Sequence, residues 1–332
     1  MKILFMGVRE DETPAIEAWR AAHPDHEVTT TTDVLTMETV EELADYDALV
    51  VQQVIVPDTA IYARLRELGI TQISSRTAGV DMFDLEAARA AGIAITNVPV
   101  YSPNAIAEFA LASAMHLTRS FPAIARKNAE RDFRFIGLIG REIATLRVAI
   151  IGTGAIGYRT AQHFRALGAD VVAFDLFPRE DFAAIGTYAA TIEDAIDGAD
   201  IVSLHIPATE ENHHLLDADM LARLAPGAIV VNAGRGALVD TRALLDAIDS
   251  GHLAGAALDT YENEQEYFRF DWRDKDLGDP VLEELLAHDQ VLLTPHVAFY
   301  SETAVANLVT GGLDNAVEVA TTGTAASVVN AA

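Results

Sequence analysis

Residues 147–175, RVAIIGTGAIGYRTAQHFRALGADVVAFD, constrain the fold more than any other segment of the chain. A short β-branched run leads into the pattern G-x-G-x-x-G, formed by Gly152, Gly154 and Gly157, and a helical segment and a second apolar run follow. In such a βαβ unit the glycines permit a tight turn, a close approach of backbone to a pyrophosphate, and packing of the helix on the strand. The second run ends at Asp175, where a carboxylate can accept hydrogen bonds from an adenosine ribose. Three glycines can also form a simple turn, but the complete context favours a dinucleotide-binding unit.

Alternating strand and helix patterns predict two doubly wound α/β domains. Repeated βα units indicate parallel sheets with helices on both faces. A chain of 332 residues has room for about two domains of roughly 150 residues each. We therefore expect two parallel-sheet domains, Rossmann-like or flavodoxin-like, with a cleft between them. The strands are predicted near 2–6, 48–51, 72–75 and 94–96 in one set, and near 147–151, 171–174, 201–204, 228–232, 255–259 and 291–294 in the other.

The domain boundary is predicted near residue 100. Ser102 can cap a helix and Pro103 suits its first position, and the apolar residues of this helix cover most of its circumference. Such a helix is expected to be buried between domains or subunits. A last helix, roughly 301–320, has no strand partner in the second set, so we expect it to return to the first domain. The predicted catalytic domain is discontinuous, with residues 1–100 and 299–332, and the predicted nucleotide-binding domain is 101–298.

The composition excludes several classes of function. Fifty acidic residues face 23 basic ones, so the net charge of −27 should repel nucleic acid and anionic membranes. The chain has no cysteine, which excludes disulfides and thiol nucleophiles. It shows no membrane-length apolar run and no signal-peptide pattern, so a cytoplasmic location is expected. The acidic residues fit either an ordinary acidic protein or one adapted to high salt.

Three polar residues follow predicted strands of the second set, where ligands bind in open α/β sheets. Arg235 is flanked by glycines, so its guanidinium could bind a carboxylate through two hydrogen bonds, although a surface arginine in a turn is the alternative. His296 could exchange a proton with a substrate, and a carboxylate such as Glu264 could fix its tautomer. The sequence alone cannot pair them, and a structural role for such a histidine is common. The adjacent His213 and His214 are interpreted as structural, and no metal site is expected.

Seven segments in order along the chain are similar to the D-isomer-specific 2-hydroxyacid dehydrogenase family. The resemblance covers nearly the whole chain, and the features REDE at 9–12, DTYENEQEYF and the following DW are most similar to D-lactate dehydrogenases. It implies an NAD-dependent oxidoreductase that converts a small 2-oxo acid to a 2-hydroxy acid, and a homodimer built partly on the helix at 102–120. The segments are TAGVDMFD (77–84), NVPVYSPNAIAEFAL (97–111), VAIIGTGAIG (148–157), SLHIPAT (203–209), NAGRGALVDTRAL (232–244), GAALDTYENE (255–264) and LLTPHVAFYS (292–301).

The resemblance also implies a role for each matching residue. Arg235, Glu264 and His296 would be catalytic: the arginine would anchor the substrate carboxylate, and the glutamate would be the partner of the acid/base histidine. The cofactor-binding residues would be Gly152, Gly154, Ala155, Ile156, Gly157, Asp175, Ile206, Pro207, Ala233 and Asp259. The substrate-binding residues would be Ala78, Gly79, Tyr101, Phe299 and Gln52.

One position departs from the D-lactate dehydrogenase pattern. Gln52, or Val51 if the alignment slips, stands where those enzymes carry an aromatic residue beside the substrate side chain. The resemblance to D-lactate dehydrogenases implies the reduction of pyruvate to D-lactate with NADH. Loss of the ring changes the size and polarity of the substrate pocket, so a 2-oxo acid other than pyruvate is an alternative substrate. The alternatives are a dehydrogenase for a larger 2-oxo acid, such as a 2-hydroxyisocaproate dehydrogenase, and, from another class, an NAD-sensing protein similar to transcriptional corepressors.

Overall fold

The computed structural model describes residues 1–52 and 56–331, and the chain divides into two compact units. The first unit contains Met1–Ser102 and Tyr300–Ala332, and the second contains Pro103–Phe299. These bounds differ by one or two residues from the predicted ones, because Tyr101 and Ser102 fall in the first unit and Phe299 in the second. The backbone carbonyl of Tyr101 accepts a hydrogen bond from Asn307, which belongs to the first unit.

Each unit contains one fully parallel sheet. The sheet of the first unit has the order β2-β1-β3-β4-β5, and that of the second has the order β12-β11-β10-β9-β6-β7-β8. Ten of these strands lie where the sequence predicts them, and the α/β class with two parallel sheets is confirmed. The strands are β1 (Lys2–Met6), β2 (Glu27–Thr31), β3 (Ala48–Val51), β4 (Gln72–Ser75), β5 (Ala94–Thr96), β6 (Arg147–Ile151), β7 (Asp170–Phe174), β8 (Thr187–Tyr188), β9 (Ile201–Leu204), β10 (Ala228–Asn232), β11 (Leu253–Leu258) and β12 (Val291–Leu293).

Helices cover the faces of both sheets. They are α1 (Thr13–Ala22), α2 (Ala60–Glu67), α3 (Leu85–Ala90), α4 (Pro103–Thr118), α5 (Phe121–Ala129), α6 (Ala155–Ala166), α7 (Ile192–Ile196), α8 (Ala218–Leu221), α9 (Thr241–Asp249), α10 (Glu264–Tyr267), α11 (Pro280–Ala287) and α12 (Glu302–Thr322). Short 3₁₀ turns lie at Glu10–Glu12, Val40–Asp45, Ile143–Thr145, Glu180–Ala184, Glu210–Asn212 and Gly236–Leu238. Across residues 1–52 and 56–331, none of these helices is both long and apolar enough to span a membrane.

The last helix, α12, packs on the sheet of the first unit. Its residues Val309 and Leu313 are fully buried in one cluster with Ile3 and Phe5 of β1. Ser74 in β4 donates a hydrogen bond of 2.6 Å from its hydroxyl to the carbonyl of Gly312, so polar as well as apolar contacts fix the helix. The other face of the same sheet is covered by a second cluster that includes Leu4, Leu49, Ile61 and Ile73. The C-terminal segment therefore completes the first unit.

The sheet of the second unit reverses its direction of growth between β6 and β9. From β6 the chain adds β7 and β8 on one side, and it then crosses back to add β9 to β12 on the other. In open α/β sheets, ligands bind outside the carboxyl ends of the strands at such a reversal. Alternate residues of β6 pack on opposite faces, since Ile151 lies in one core cluster and Ile150 in the other. The topology thus places the ligand edge of this unit beside the glycine-rich loop.

Candidate functional site

The glycine-rich loop after β6 is shaped by close backbone contacts. Gly152 has φ of +91°, a conformation that side chains disfavour. A Cβ atom on Gly157 would lie 1.9 Å from the carbonyl oxygen of Gly152, so only glycine fits there. A Cβ atom on Gly154, by contrast, would have no atom within 4 Å among the described residues. The loop is therefore closely packed at Gly152 and Gly157 and leaves open space at Gly154. A pyrophosphate-binding loop needs such space for the close approach of the phosphate to the backbone.

The N-terminus of α6 is exposed to this open space. Gly154 is its N-cap, and no described side chain accepts a hydrogen bond from its first turn. Ala155 and Ile156 are its first two residues. The uncapped backbone N–H groups of the first turn can donate to an anion, which the helix dipole also favours. The three predicted cofactor residues Gly154, Ala155 and Ile156 therefore form an uncapped helix N-terminus, and their binding of a phosphate stays a prediction.

Asp175 lies directly against the glycine-rich loop. Its Oδ2 accepts hydrogen bonds from the backbone N–H of Thr153 at 2.5 Å and from the Thr153 hydroxyl at 3.0 Å. Its Oδ1 accepts one from the backbone N–H of Phe177 at 2.8 Å. The carboxylate of Asp175, at the end of β7, thus connects the loop after β7 to the loop after β6. An adenosine ribose is expected to bind beside this carboxylate.

His205 is a residue of the site that sequence reasoning did not select. It follows β9, and its carbonyl would lie 2.6 Å from a Cβ atom on Gly152, so its backbone supports the glycine-rich loop. Its Nε2 is 2.9 Å from the hydroxyl of Ser203, and burial lowers the pKa of His205 to about 4. The side chain is therefore neutral at physiological pH. The available signal was its position in SLHIPAT, directly before the predicted cofactor residues Ile206 and Pro207.

The structure brings together His296 and Glu264, which the sequence could not pair. Nδ1 of His296 lies 2.6 Å from Oε1 of Glu264. Glu264 is itself fixed, because its Oε2 accepts a hydrogen bond from the backbone N–H of Tyr261. His296 has φ of +56°, a left-handed conformation that is uncommon outside glycine and that is enriched at functional sites. The pair leaves Nε2 as the ring nitrogen that can exchange a proton with a ligand.

Asp259 holds the loop that carries His296. Its carboxylate accepts hydrogen bonds from the hydroxyl of Thr294 at 2.6 Å and from the backbone N–H groups of Val297 and Ala298 at 2.9 and 2.8 Å. The residue is 2% exposed, and burial raises the pKa of its carboxyl group. Its carbonyl also accepts a hydrogen bond from the backbone N–H of His296. This predicted cofactor residue therefore directly follows β11, and its carboxylate holds the loop after β12.

Arg235 follows β10, the strand next to β11. Its Nη1 donates a hydrogen bond of 3.0 Å to the carbonyl of Gly234. Asn232, at the end of β10, shapes this loop, because its amide nitrogen donates to the carbonyl of Arg235 and its amide oxygen accepts from the N–H of Gly234. The predicted cofactor residue Ala233 lies in the same loop. The loops with Arg235, Glu264 and His296 therefore follow three neighbouring strands, β10, β11 and β12, and lie at the carboxyl ends of these strands.

The predicted substrate residues of the first unit lie in loops after its strands. The carbonyls of Ala78 and Gly79 accept hydrogen bonds from Asn97 and Thr77, respectively. Tyr101 precedes α4, and Phe299, which belongs to the second unit, follows Ala298. These two hydrogen bonds to backbone carbonyl oxygens therefore fix the TAGVD loop within the first unit.

Gln52 follows β3 and contacts Arg9, a residue that was not predicted from the sequence to belong to the site. Its side-chain oxygen accepts a hydrogen bond from Nη1 of Arg9, and the Arg9 guanidinium lies 5.8 Å from the centre of the Tyr300 ring. Arg9 also forms an ion pair with Asp11 at 3.1 Å. The signal for Arg9 was the segment REDE, which the sequence comparison used without assigning roles within it.

A buried ion pair fixes this part of the first unit. Arg76 is fully buried, and its Nε donates a hydrogen bond of 2.7 Å to Glu12, which is 1% exposed. Its other nitrogens donate to the carbonyls of Met6 and Gly7 at the end of β1. All the charged hydrogen-bonding atoms of such a pair must be satisfied for it to be tolerated in a core, and these contacts do so. The pair anchors the segment that carries Arg9.

Comparisons with known proteins agree on one family. The family model described as D-isomer specific 2-hydroxyacid dehydrogenase, NAD binding domain, matches residues 111–298. A D-lactate dehydrogenase of Staphylococcus aureus is 44% identical over 324 residues, which is 97% of this chain and 98% of that protein. The solved structure of a D-lactate dehydrogenase from Treponema pallidum is similar with a TM-score of 0.92 and 40% identity, covering 98% of this chain and 99% of that one. A D-2-hydroxyisocaproate dehydrogenase structure gives a TM-score of 0.94 and 34% identity over all of both chains. The chain therefore belongs to the D-isomer-specific 2-hydroxyacid dehydrogenases, which are NAD-dependent oxidoreductases.

Proposed function

We propose that this chain reduces pyruvate to D-lactate with NADH, and that His296 is its acid/base residue. The observation that carries the proposal is the 2.6 Å contact between Nδ1 of His296 and Glu264, on the same sheet edge as the glycine-rich loop. The similarity to D-lactate dehydrogenases over nearly the whole chain supports the same reaction.

The residues around the glycine-rich loop fit NAD, the cofactor of this family. The open space above Gly154 and the uncapped N-terminus of α6 suit a pyrophosphate, and Asp175 suits a ribose with a free 2′-hydroxyl. A 2′-phosphate would instead meet the negative charge of Asp175. The proposed cofactor contacts also include Ala155, Ile156 and Gly157 of α6, and Ile206, Pro207 and Ala233 after neighbouring strands. When bound, reduced NAD supplies the hydride.

The chain's own residues then bind the substrate and supply the proton. The guanidinium of Arg235 pairs with the substrate carboxylate through two hydrogen bonds, which orients the 2-oxo group. Protonated His296 donates its Nε2 proton to the oxygen of the reacting carbonyl as negative charge develops there. Glu264 keeps the imidazole in one orientation and stabilises its charge. Asp259 fixes the loop of His296 through three hydrogen bonds.

The proposal takes its remaining substrate contacts from the family resemblance. Backbone groups at Ala78 and Gly79 would bind the carboxylate, and Tyr101 of the first unit and Phe299 of the second would contact the substrate. Gln52 faces the substrate side chain in this proposal. Its hydrogen bond to Arg9 makes that position polar, where the resemblance to D-lactate dehydrogenases implies an aromatic residue.

Gln52 also favours a second candidate, a dehydrogenase for a larger 2-oxo acid, because the side chain of glutamine is smaller than the aromatic ring that the family resemblance implies. The similarity to a D-2-hydroxyisocaproate dehydrogenase structure supports this alternative. An NAD-sensing corepressor is disfavoured because the relatives that match nearly the whole chain are D-lactate dehydrogenases.

The exposed apolar surface of the second unit supports a homodimer. None of the described residues of α5 is buried, and four large apolar side chains beyond it, at Phe133, Phe135, Ile136 and Ile139, are each at least 77% exposed. Apolar surface of this extent is typical of an interface. We propose that α4 and this segment pair with a second copy, which analytical ultracentrifugation tests, and that the enzyme works in the cytoplasm on the NADH pool.

A turnover assay separates these candidates. Purified protein is mixed with NADH and, in parallel, with pyruvate, 2-oxobutyrate, 4-methyl-2-oxopentanoate or phenylpyruvate, and NADH absorbance is followed. The proposal expects the highest kcat/KM with pyruvate. A higher value with 4-methyl-2-oxopentanoate would support the larger-substrate alternative, and no turnover with any 2-oxo acid would support the sensor.

A further inference from the structure

Three metal-binding side chains converge on loops of the second unit, apart from the residues assigned to catalysis. Nε2 of His213 lies 3.1 Å from Oε1 of Glu262, and Nε2 of His214 lies 2.9 Å from the same oxygen. We propose that the His213–His214–Glu262 cluster binds a divalent transition-metal ion of the zinc type. From the sequence, His213 and His214 are interpreted as structural and no metal site is expected, because the glutamate follows β11 whereas the histidines follow β9. The proposal does not depend on the proposed function.

The spacing of the ligand atoms suits such an ion. Zinc binds imidazole nitrogen at about 2.0–2.1 Å and carboxylate oxygen at about 2.0–2.2 Å, so tetrahedral ligand atoms lie about 3.3 Å apart. The two distances to Glu262 are within a few tenths of an ångström of that value. One ligand atom from each of the three residues lies within 4.8 Å of the others. Small side-chain rotations would therefore admit the ion, with its remaining positions open to water.

The arrangement of the cluster is that of a ligand set and not of a single ion pair, because both Nε2 atoms approach the same oxygen, Oε1 of Glu262. The rings of His213 and His214 are stacked with their centres 3.9 Å apart, and the three ligand atoms lie close together. Imidazole nitrogen and carboxylate oxygen are ligands that zinc binds, and a cation held between them would contact all three groups.

The backbone holds the histidines in this arrangement. His214 has φ of +53°, a left-handed conformation that costs free energy for a residue with a side chain. Its N–H donates a hydrogen bond of 2.8 Å to the carbonyl of Ala237, and the N–H of Leu216 donates one of 3.0 Å to Leu238. The strained residue is therefore fixed by the loop after β10, which preorganises the two rings.

A bound ion would connect loops that carry the proposed active site. The backbone of Gly236, next to Arg235, packs directly on that of Tyr261 and Glu262, since a Cβ atom on Gly236 would lie 2.2 Å from the Tyr261 carbonyl carbon. Joining the loop after β9 to the loop after β11 should therefore stabilise this whole edge of the sheet. An ion that binds only the folded state raises the melting temperature.

The test measures binding of Zn²⁺ and Co²⁺ to the full chain without a polyhistidine tag. Calorimetry follows Zn²⁺, and visible absorption follows Co²⁺, both in excess Mg²⁺ and KCl. Mg²⁺ prefers oxygen ligands and occupies diffuse sites on the acidic surface, so it isolates the histidine site. The variant is Glu262→Gln, and the matched control is Asp249→Asn, which removes a carboxylate 3.3 Å from the single histidine His288.

We expect one ion per chain and at least about 100-fold weaker binding in Glu262→Gln, because even the partners of metal ligands change affinity about 10- to 100-fold. Asp249→Asn should bind as the unmodified protein does, and Zn²⁺ should raise the melting temperature of both but not of Glu262→Gln. Absence of stoichiometric binding, or equal affinity in Glu262→Gln, would overturn the proposal. If circular dichroism shows that this variant is unfolded, His213→Gln, at a side chain 52% exposed, replaces it with the same expectations.

Discussion

The candidate residues of the two units are fixed in different ways. In the second unit, Asp175, Asp259 and the His296–Glu264 pair are connected by short hydrogen bonds to the loops around them. In the first unit, the buried Arg76–Glu12 pair fixes the framework, but the candidate contact with the substrate side chain is a partly exposed glutamine paired with Arg9. In the proposed function, the residues held by several hydrogen bonds supply the chemistry, and the less constrained glutamine is the residue that departs from the family resemblance. We therefore expect variants of the second unit to change the reaction and variants of Gln52 to change the choice of substrate.

The largest effect is expected from His296→Ala in the second unit. Removal of the proton donor should lower kcat for pyruvate reduction about 10²- to 10⁴-fold, because general acid catalysis contributes that much. NADH binding, followed by fluorescence, should change little. His288→Gln, a histidine beside Asp249 on the same unit, is the control. Turnover near that of the unmodified protein would show that the second unit does not supply the acid.

Arg235→Lys should produce the next largest loss. An ammonium group cannot form the planar pair of hydrogen bonds that a guanidinium makes with a carboxylate. We expect kcat/KM for pyruvate to fall about 10²- to 10³-fold, the range seen when a preorganised donor is removed, with changes in both kcat and KM. Arg242→Lys, whose guanidinium pairs with Glu284 on α11, is the control. A change in KM alone would mean that the arginine binds the substrate without orienting it.

Asp175→Ala tests the cofactor side of the second unit. Loss of the carboxylate should narrow the preference for NADH over NADPH by about tenfold or more, since a hydrogen bond to a charged group contributes ~1.5–3 kcal/mol. Asp181→Ala, on the same side of the unit and paired with Arg179, should leave the ratio unchanged. Equal kcat/KM for the two cofactors in the unmodified protein would contradict the role of Asp175.

Gln52→Tyr tests whether this residue of the first unit faces the side chain of the substrate. An aromatic ring would shrink the space for the substrate side chain, so the ratio of kcat/KM for pyruvate to that for 4-methyl-2-oxopentanoate should rise about tenfold. The rate with NADH at saturating pyruvate should change less than it does in His296→Ala or Arg235→Lys. An unchanged substrate profile would mean that Gln52 does not face the substrate.

The smallest expected effect is that of salt on the melting temperature. It concerns both units, because acidic residues outnumber basic ones across the chain. The screening length falls from ~10 Å at 0.1 M salt to ~3 Å at 1 M, so self-repulsion weakens and the melting temperature should rise by several degrees in KCl. Differential scanning calorimetry with pyruvate turnover in parallel measures this. A flat or falling melting temperature would remove the hypothesis of adaptation to high salt.

The sequence predicted the buried strands better than the edge strands. Buried parallel strands are continuous apolar runs, and AIVVN at β10 is typical of them. The two strands that were not predicted, β2 and β8, are edge strands with few apolar residues, EVTTT and TY. The β-branched threonines of β2 were a usable signal, whereas two residues at β8 are too few to show a pattern.

The site was predictable where a local motif defines it. The glycine-rich loop and Asp175 form one such motif. The positions of His296 and Glu264 after strands selected these two residues, whereas only the family resemblance implied that they form a pair. Asp259 as the holder of the His296 loop was not predictable, because its partners lie 35 to 39 residues away. The same holds for the His213–His214–Glu262 cluster and for the bond between Arg9 and Gln52, which depend on tertiary contacts between separate loops.

The configuration of the product tests the central claim most directly. Pyruvate is reduced with NADH by the unmodified protein, and the lactate is resolved by chiral chromatography, with His296→Ala as the blank. The account predicts D-lactate in an amount equal to the NADH consumed. L-lactate, or NADH loss without lactate, would contradict it.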